Sequence, residues 1–280
     1  MEVYYINHKN QKIDLGHSPY QLQIGDLFDS SNKYDGSCFK ISRIYKEITT
    51  ITTCITVDAP SEKEFYAAVD QFFEITETDT AAGMQGRLYI GDMYLKCNVI
   101  SSSKSFWKET FRGMENSIKL LVPYPYWCRE ISKSFLKNGA TTVVERVADT
   151  YLFYPVAYPY RYSMPGNAGF INNDHYGDCD FKMIIYGPCT NPVIRINGHV
   201  HEVAVTLYAG EYILIDSRDH TVYRYLIDGR KQNLFNQRNK ESDLFQKVPS
   251  GRCAVLWNAA AFGFDLILFQ ERSEPAWNLL

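Results

Sequence analysis

The sequence predicts a mainly β protein with one helix, closing in an antiparallel β-sandwich. Three observations predict it. Short runs rich in Val, Ile, Thr, Tyr and Phe recur along the chain, separated by turn residues. Dipeptides that favour tight hairpins, Gly91-Asp92 and Asn197-Gly198, sit between such runs. A single stretch, opening at Ser61, carries apolar residues at helical spacing.

In the first half, residues 3–6 and 12–15 are short strand candidates, and 39–45 and 48–57 are longer ones. The last of these is packed with Thr and Ile, which fit a pleated surface. Ser61-Glu62-Lys63-Glu64 reads as a capping box: the Ser61 hydroxyl takes the Glu64 N–H and the Glu64 side chain reaches back. Phe65, Ala68, Val69, Phe72 and Phe73 then share one helical face that packs on a sheet. The β-branched and acidic residues 76–80 are expected to end the helix. Residues 87–90 and 93–101 flank Gly91-Asp92, a turn of type II′. Residues 117–122 and 126–136 supply two further strands.

The second half is more plainly β. Residues 181–186 end at Gly187-Pro188. Residues 193–196 and 201–206 flank Asn197-Gly198, and 212–215 and 222–227 flank a polar turn. Residues 253–257 and 264–269 flank a loop of small residues. Hairpins at such regular spacing argue for the sandwich. A boundary at Lys137-Asn138-Gly139 divides the chain into domains 1–137 and 138–280.

Composition excludes several classes. The 280 residues suit one large domain or two medium ones. Apolar residues at 45% and charged residues at 22% exclude disordered and collagen-like chains. No apolar run nears the ~20 residues that span a bilayer, so no membrane partner is expected. Met1-Glu2-Val3-Tyr4-Tyr5 has no basic segment leading into an apolar one, so no secretion signal is expected. A net charge of -3 gives no broad nucleic-acid surface. The cysteines are odd in number and without CxxC spacing, which favours buried thiols over disulfides.

Few residues suggest chemistry. His199 and His201 stand two apart on a strand, where both imidazoles reach the same side. A structural zinc needs four ligands and nothing joins them, so the pair reads as two surface histidines and no metal site is expected. Asp174, His175, Asp178, Cys179 and Asp180 cluster acids with a His and a Cys. A hydrolase would place Asp178, Asp180 and His175 at its centre, but no nucleophile elbow, P-loop or dinucleotide fingerprint accompanies them. Tyr154, Tyr158, Tyr160 and Tyr162 alternate with prolines. They either stack on a glycan or a protein partner, or fold back onto their own sandwich.

The C-terminal stretch runs Tyr225-Leu226-Ile227-Asp228-Gly229-Arg230, then Asp243-Leu244-Phe245-Gln246-Lys247-Val248-Pro249-Ser250-Gly251-Arg252. It continues through Val255-Leu256-Trp257 and Phe262-Gly263-Phe264-Asp265 to Glu271-Arg272-Ser273-Glu274-Pro275-Ala276-Trp277. With Gly86-Arg87-Leu88-Tyr89-Ile90-Gly91 and Pro123-Tyr124-Pro125-Tyr126-Trp127, it resembles the distal tail (Dit) family of siphophage tail components.

The resemblance implies a ring-forming, tail-tube-like N-terminal β domain with one helix, followed by a galectin-like β-sandwich. It implies a non-enzymatic structural hub with no cofactor. Six copies would form a ring at the virion tail tip, assembled in the host cytoplasm. The ring would join the tail tube protein to the tail-associated hub protein and to receptor-binding proteins, with DNA passing only transiently through its lumen. Residues 49–57 are the candidate strand for pairing with a neighbouring copy. The sequence departs from that family in the Tyr- and Pro-rich segment 151–165 and in residues 166–180, which do not align with its landmarks. The alternative reading is a glycan-binding module of a surface adhesion device, which can coexist with the first.

Overall fold

The computed structural model describes residues 2–105, 107, 113–137, 168–259 and 261–277. The chain divides into two compact units, Met1–Arg129 with Glu271–Leu280, and Glu130–Gln270. This differs from the sequence expectation at both ends. The division falls inside a continuous strand rather than at the turn after it, because Trp127 is buried in the first core and Phe135 in the second. The last residues return to the first unit: the Trp277 ring packs 4.8 Å from that of Phe28, and Ser30 donates to Glu274 at 3.0 Å. A reading that assumes contiguous domains misses such a return.

The first unit holds β1 (Val3–Ile6), β2 (Lys12–Asp14), β3 (Tyr20–Leu22), β4 (Lys33–Ser37), β5 (Lys40–Tyr45) and β6 (Thr49–Asp58). After helix α1 (Glu62–Ala82) come β7 (Gly86–Ile90), β8 (Met93–Ser105) and β9 (Gly113–Val122), and β10 (Trp127–Phe135) leads into the second unit. All the pairings among the described residues are antiparallel. One sheet runs β2-β1-β7-β8-β10, using the first half of β8. The second half of β8, beyond an irregularity between Val99 and Ser101, pairs with β9 in the order β8-β9-β6-β3. The β7–β8 turn holds Gly91 at φ 60 and only that loop residue at positive φ, as a type II′ turn requires.

Helix α1 buries Phe65, Ala68, Phe72 and Ile75 in this core, with Val69 and Phe73 half-buried beside them. The Ser61 half of the capping box forms, at 3.3 Å to the Glu64 N–H. The helix does not stop across residues 76–80. Thr76 and Thr78 turn their hydroxyls back to the carbonyls of Phe72 and Glu74, at 2.9 and 2.6 Å, which lets them stay helical. The stop is Gly83, left-handed at φ 63, with Met84 N–H bonded to Asp79 O at 3.0 Å.

The second unit contains two antiparallel sheets. One runs β19 (Lys231–Asn233), β18 (Thr221–Tyr225), β17 (Tyr212–Asp216), β12 (Asp180–Tyr186), β21 (Phe264–Arg272). The other runs β11 (Ala168–Asn173), β20 (Gly251–Trp257), β14 (Val193–Ile196), β15 (His199–Glu202). A short ladder joins β13 (Cys189–Thr190) to β16 (Thr206–Leu207). Asn197 and Gly198, at φ 48 and 86, make the tight β14–β15 turn. Strands β20 and β21, consecutive around a small-residue loop, do not pair; the chain crosses from one sheet to the other there. Phe181, Met183, Ile185, Val255, Phe264 and Leu266 fill the core.

None of the seven cysteines is disulfide-bonded; five are buried, Cys54 is half-buried and Cys38 is exposed.

Candidate assembly surface

The first unit presents two features that single folded domains rarely leave uncovered. The first is the edge of β6. Its full length pairs with β9, Thr49 opposite Val122 through Asp58 opposite Gly113. On the other side β3 covers only Ile55, Thr56 and Val57. The sequence expectation made all of 49–57 available to a neighbour; only 49–53 is uncovered by strand among the described residues, because β3 caps the rest. Gln23 N–H bonds to Cys54 O on this outer side at 2.8 Å. By the period-2 alternation of a strand, Thr50 and Thr52 also point their N–H and C=O groups outward.

The open edge borders a groove of about 510 Å³. Exposed Ile48 and half-buried Ile51 supply its accessible apolar lining, over the buried Leu95 and Trp127, and Asp26 and Asp29 stand exposed at its rim. Lys46 also lines it, donating to the Pro125 carbonyl at 3.1 Å with its ammonium 4.8 Å from the Tyr126 ring centre. Partial burial lowers the Lys46 pKa from its ordinary value.

The second feature is the β4–β5 hairpin, a two-stranded sheet that pairs with no other strand among the described residues. Its register sets Tyr34 opposite Ile44 and Gly36 opposite Ile41, so one face carries Tyr34, Ile41 and Ile44. The other face carries Lys33, Tyr45, Asp35, Arg43 and Lys40. The apolar side chains are not buried: Tyr34, Ile41 and Ile44 are 71%, 61% and 63% exposed. At the tip, Cys38 and Phe39 both take positive φ, 48 and 67, and the Phe39 ring is fully exposed. An ion pair from Lys33 to Glu47 holds the base of the hairpin beside the groove.

The residues singled out from the sequence fall elsewhere. Asp178 and Asp180 line an open polar cavity of about 550 Å³ in the second unit, together with His220, Asp243 and Lys247. The Asp180 carboxylate is taken by Ser217, at 2.9 Å, and by Lys247, at 2.8 Å. His175 does not join them. Its Nδ1 lies against the Gly177 backbone and its ring lies 4.0 Å from that of Tyr176. The Cys179 thiol is buried against Asn173 Oδ1 at 3.2 Å. The hydrolase grouping is therefore not assembled.

His199 and His201 do share one side of β15, rings 5.0 Å apart. They are not two surface residues, since His201 is buried. Each bonds a backbone carbonyl, His199 Nε2 with Asp243 O at 2.6 Å and His201 Nδ1 with Leu244 O at 2.8 Å, clasping the segment that leads to β20. Burial pushes the His201 pKa down to about 4. Among the described residues no group of three or more His, Cys, Asp or Glu is placed to hold a metal ion. Tyr154, Tyr158, Tyr160 and Tyr162 lie outside the described residues.

The sequence reading missed the hairpin as a surface. Its alternating Tyr34, Ile41 and Ile44 look like any half-buried strand pair, and the signal that was available is the bulky Phe39 at a two-residue turn.

The fold has solved counterparts along nearly its whole length. The crystal structure of the SPP1 Dit protein (gp 19.1), described as a paradigm of the hub adsorption apparatus in phages infecting Gram-positive hosts, matches 96% of this chain and 99% of its own. The TM-score there is 0.57 at 7% identity. A chain of the phage P2 baseplate, activated with Ca, matches over 98% and 99%, TM-score 0.61, at 14% identity. The same baseplate activated with Sr gives 98% and 99%, TM-score 0.59, at 14% identity. No family model matches the chain, and no curated protein matches it by sequence. At these identities the likeness is one of fold: a mainly β chain with one helix and several antiparallel sheets, built like the SPP1 Dit protein.

Proposed function

We propose that this chain is a structural, non-enzymatic hub of a phage or phage-like tail tip, residing in the virion and assembling through its first unit into a six-membered ring. The ring joins the tail tube protein to the tail-associated hub protein and to receptor-binding proteins, and DNA crosses its lumen only in transit. The second unit is the galectin-like sandwich of such hubs. The observation that carries this reading is the match of both units, in one chain, to the SPP1 Dit protein. The open β6 edge and the uncovered hairpin support it, since a ring needs one heterologous contact repeated about an axis.

Light scattering across a concentration series, followed by negative-stain imaging, tests the proposal. A six-subunit particle with a central hole is expected. A monomer at every concentration, alone and with purified tail tube protein, removes the reading.

A further inference from the structure

We propose that the β4–β5 hairpin of one copy docks along residues 49–53 of β6 in the next copy, apolar face inward, and that this is the contact repeated around the ring. The inference rests on the ring reading and names the surface that makes it.

Among the described residues nothing in the same chain covers the hairpin. A lone two-stranded ribbon is marginal in water, and this one has a separated apolar face with nothing packed on it among the described residues. Its tip places Cys38 and Phe39 where a tight hairpin turn ordinarily takes Asn and Gly. Positive φ is costly for a bulky side chain, and the exposed Phe39 ring gains nothing in return inside its own copy.

The groove is the complement. Five residues of β6 lack a strand on their outer side, and β4 and β5 are five and six residues long. An added strand would bond the outward amides of Thr50 and Thr52, and the exposed Ile48 and half-buried Ile51 would receive apolar side chains. The net charges are opposite: the hairpin carries Lys40 and Arg43 against Asp35, and the groove carries Asp26 and Asp29 against Lys46, with Lys33 and Glu47 paired to each other. Hairpin and edge belong to the same chain yet do not pair within it. Among the described residues no other segment fills either surface, and a second copy satisfies both. Each copy then gives a hairpin to one neighbour and receives one from the other.

Two variants separate the halves of the contact. I41D/I44D puts carboxylates on the apolar face of the hairpin. Thr52→Pro removes an outward N–H from the edge, on the side away from β9. Wild type is expected to form the ring. Each variant, folded by circular dichroism and with a cooperative melt, is expected to be monomeric. Mixed, the two should give a 1:1 heterodimer and nothing larger, because the Thr52→Pro chain still has its hairpin and the I41D/I44D chain still has its edge. If wild type forms rings and I41D/I44D does too, the hairpin serves some other partner; this inference is overturned and the ring reading stands. If both variants are folded monomers that stay monomeric when mixed, the pairing of these two surfaces is overturned. A wild type that never associates overturns both readings.

Discussion

The Tyr5 hydroxyl donates to the Asp79 carboxylate at 2.5 Å, tying the first strand to the last turn of α1. His8 adds its backbone N–H at 2.8 Å and its imidazole Nδ1 at 2.6 Å, so a wholly buried carboxylate has three partners from one short segment. Burial, with the carboxylate beside it, pushes the Tyr5 hydroxyl pKa far up, so it stays a donor. Gly86 leaves the room for this bond: a Cβ there would stand 2.0 Å from Tyr5 Oη and 2.4 Å from Asp79 Oδ2. Tyr5→Phe is expected to cost about 1.5–3 kcal/mol, the range for a hydrogen bond to a charged group. Gly86→Ala is expected to cost more, because it displaces both partners. Urea unfolding midpoints at neutral pH check the order.

Acid should weaken the second unit through His201. Its folded pKa is depressed to about 4 from an unfolded value of 6.5, so it stays neutral in the fold. Between those values the unfolded chain binds a proton that the folded chain does not, and stability rises with pH. Its contribution is therefore intact above pH 6.5 and is lost as pH falls, by about 3 kcal/mol once pH 4 is reached. His201→Phe, which cannot take up that proton, should flatten the fall. The difference between the two stability–pH curves isolates this group from carboxylates that titrate lower.

The hairpin tip should separate stability from assembly. Replacing Cys38 by Asn and Phe39 by Gly relieves two positive-φ residues. It should leave the melting temperature unchanged or raise it, by roughly 1 kcal/mol of stability at most. The same change removes the exposed ring and should weaken self-association. Differential scanning calorimetry and sedimentation of the same samples read the two effects apart.

In the second unit, the Phe135 and Phe264 rings stack at 4.6 Å with 11° between their planes, and Trp257 meets Phe264 edge-on at 5.6 Å. Phe264→Ala should cost about 3–5 kcal/mol, as large core truncations do. Gly169→Val should also destabilise, since even a Cβ at Gly169 would lie 2.8 Å from the Phe135 ring. Thermal melts of both variants provide the check.

How much was legible in the sequence varies with the locality of the cause. Ser61 and the Phe65–Phe72 spacing placed the helix because caps and faces are set within a few residues. Gly91 and the Asn197-Gly198 pair placed two hairpins for the same reason. The helix end was misread because Thr76 and Thr78 resemble a stop until their hydroxyls are seen to bond backward, and because the stop residue is Gly83. Strands β20 and β21 look like one hairpin, and only long-range pairing with β14 and β12 puts them in separate sheets. The groove gathers Asp26, Ile51, Leu95 and Trp127 from distant places, and no local pattern joins them. The likeness of fold to the Dit proteins was legible at its landmarks, where Pro123–Trp127 and the stretch ending at Trp277 stand in order.

Residues 271–277 complete the first unit yet follow the whole of the second along the chain. During translation the second unit leaves the ribosome as one uninterrupted stretch, able to fold once its final residue clears the exit. The first, although begun earlier, waits for Glu274 to reach Ser30 and for Trp277 to reach Phe28. The unit started first is finished last. A nascent polypeptide halted anywhere in the second unit therefore holds an incomplete first one.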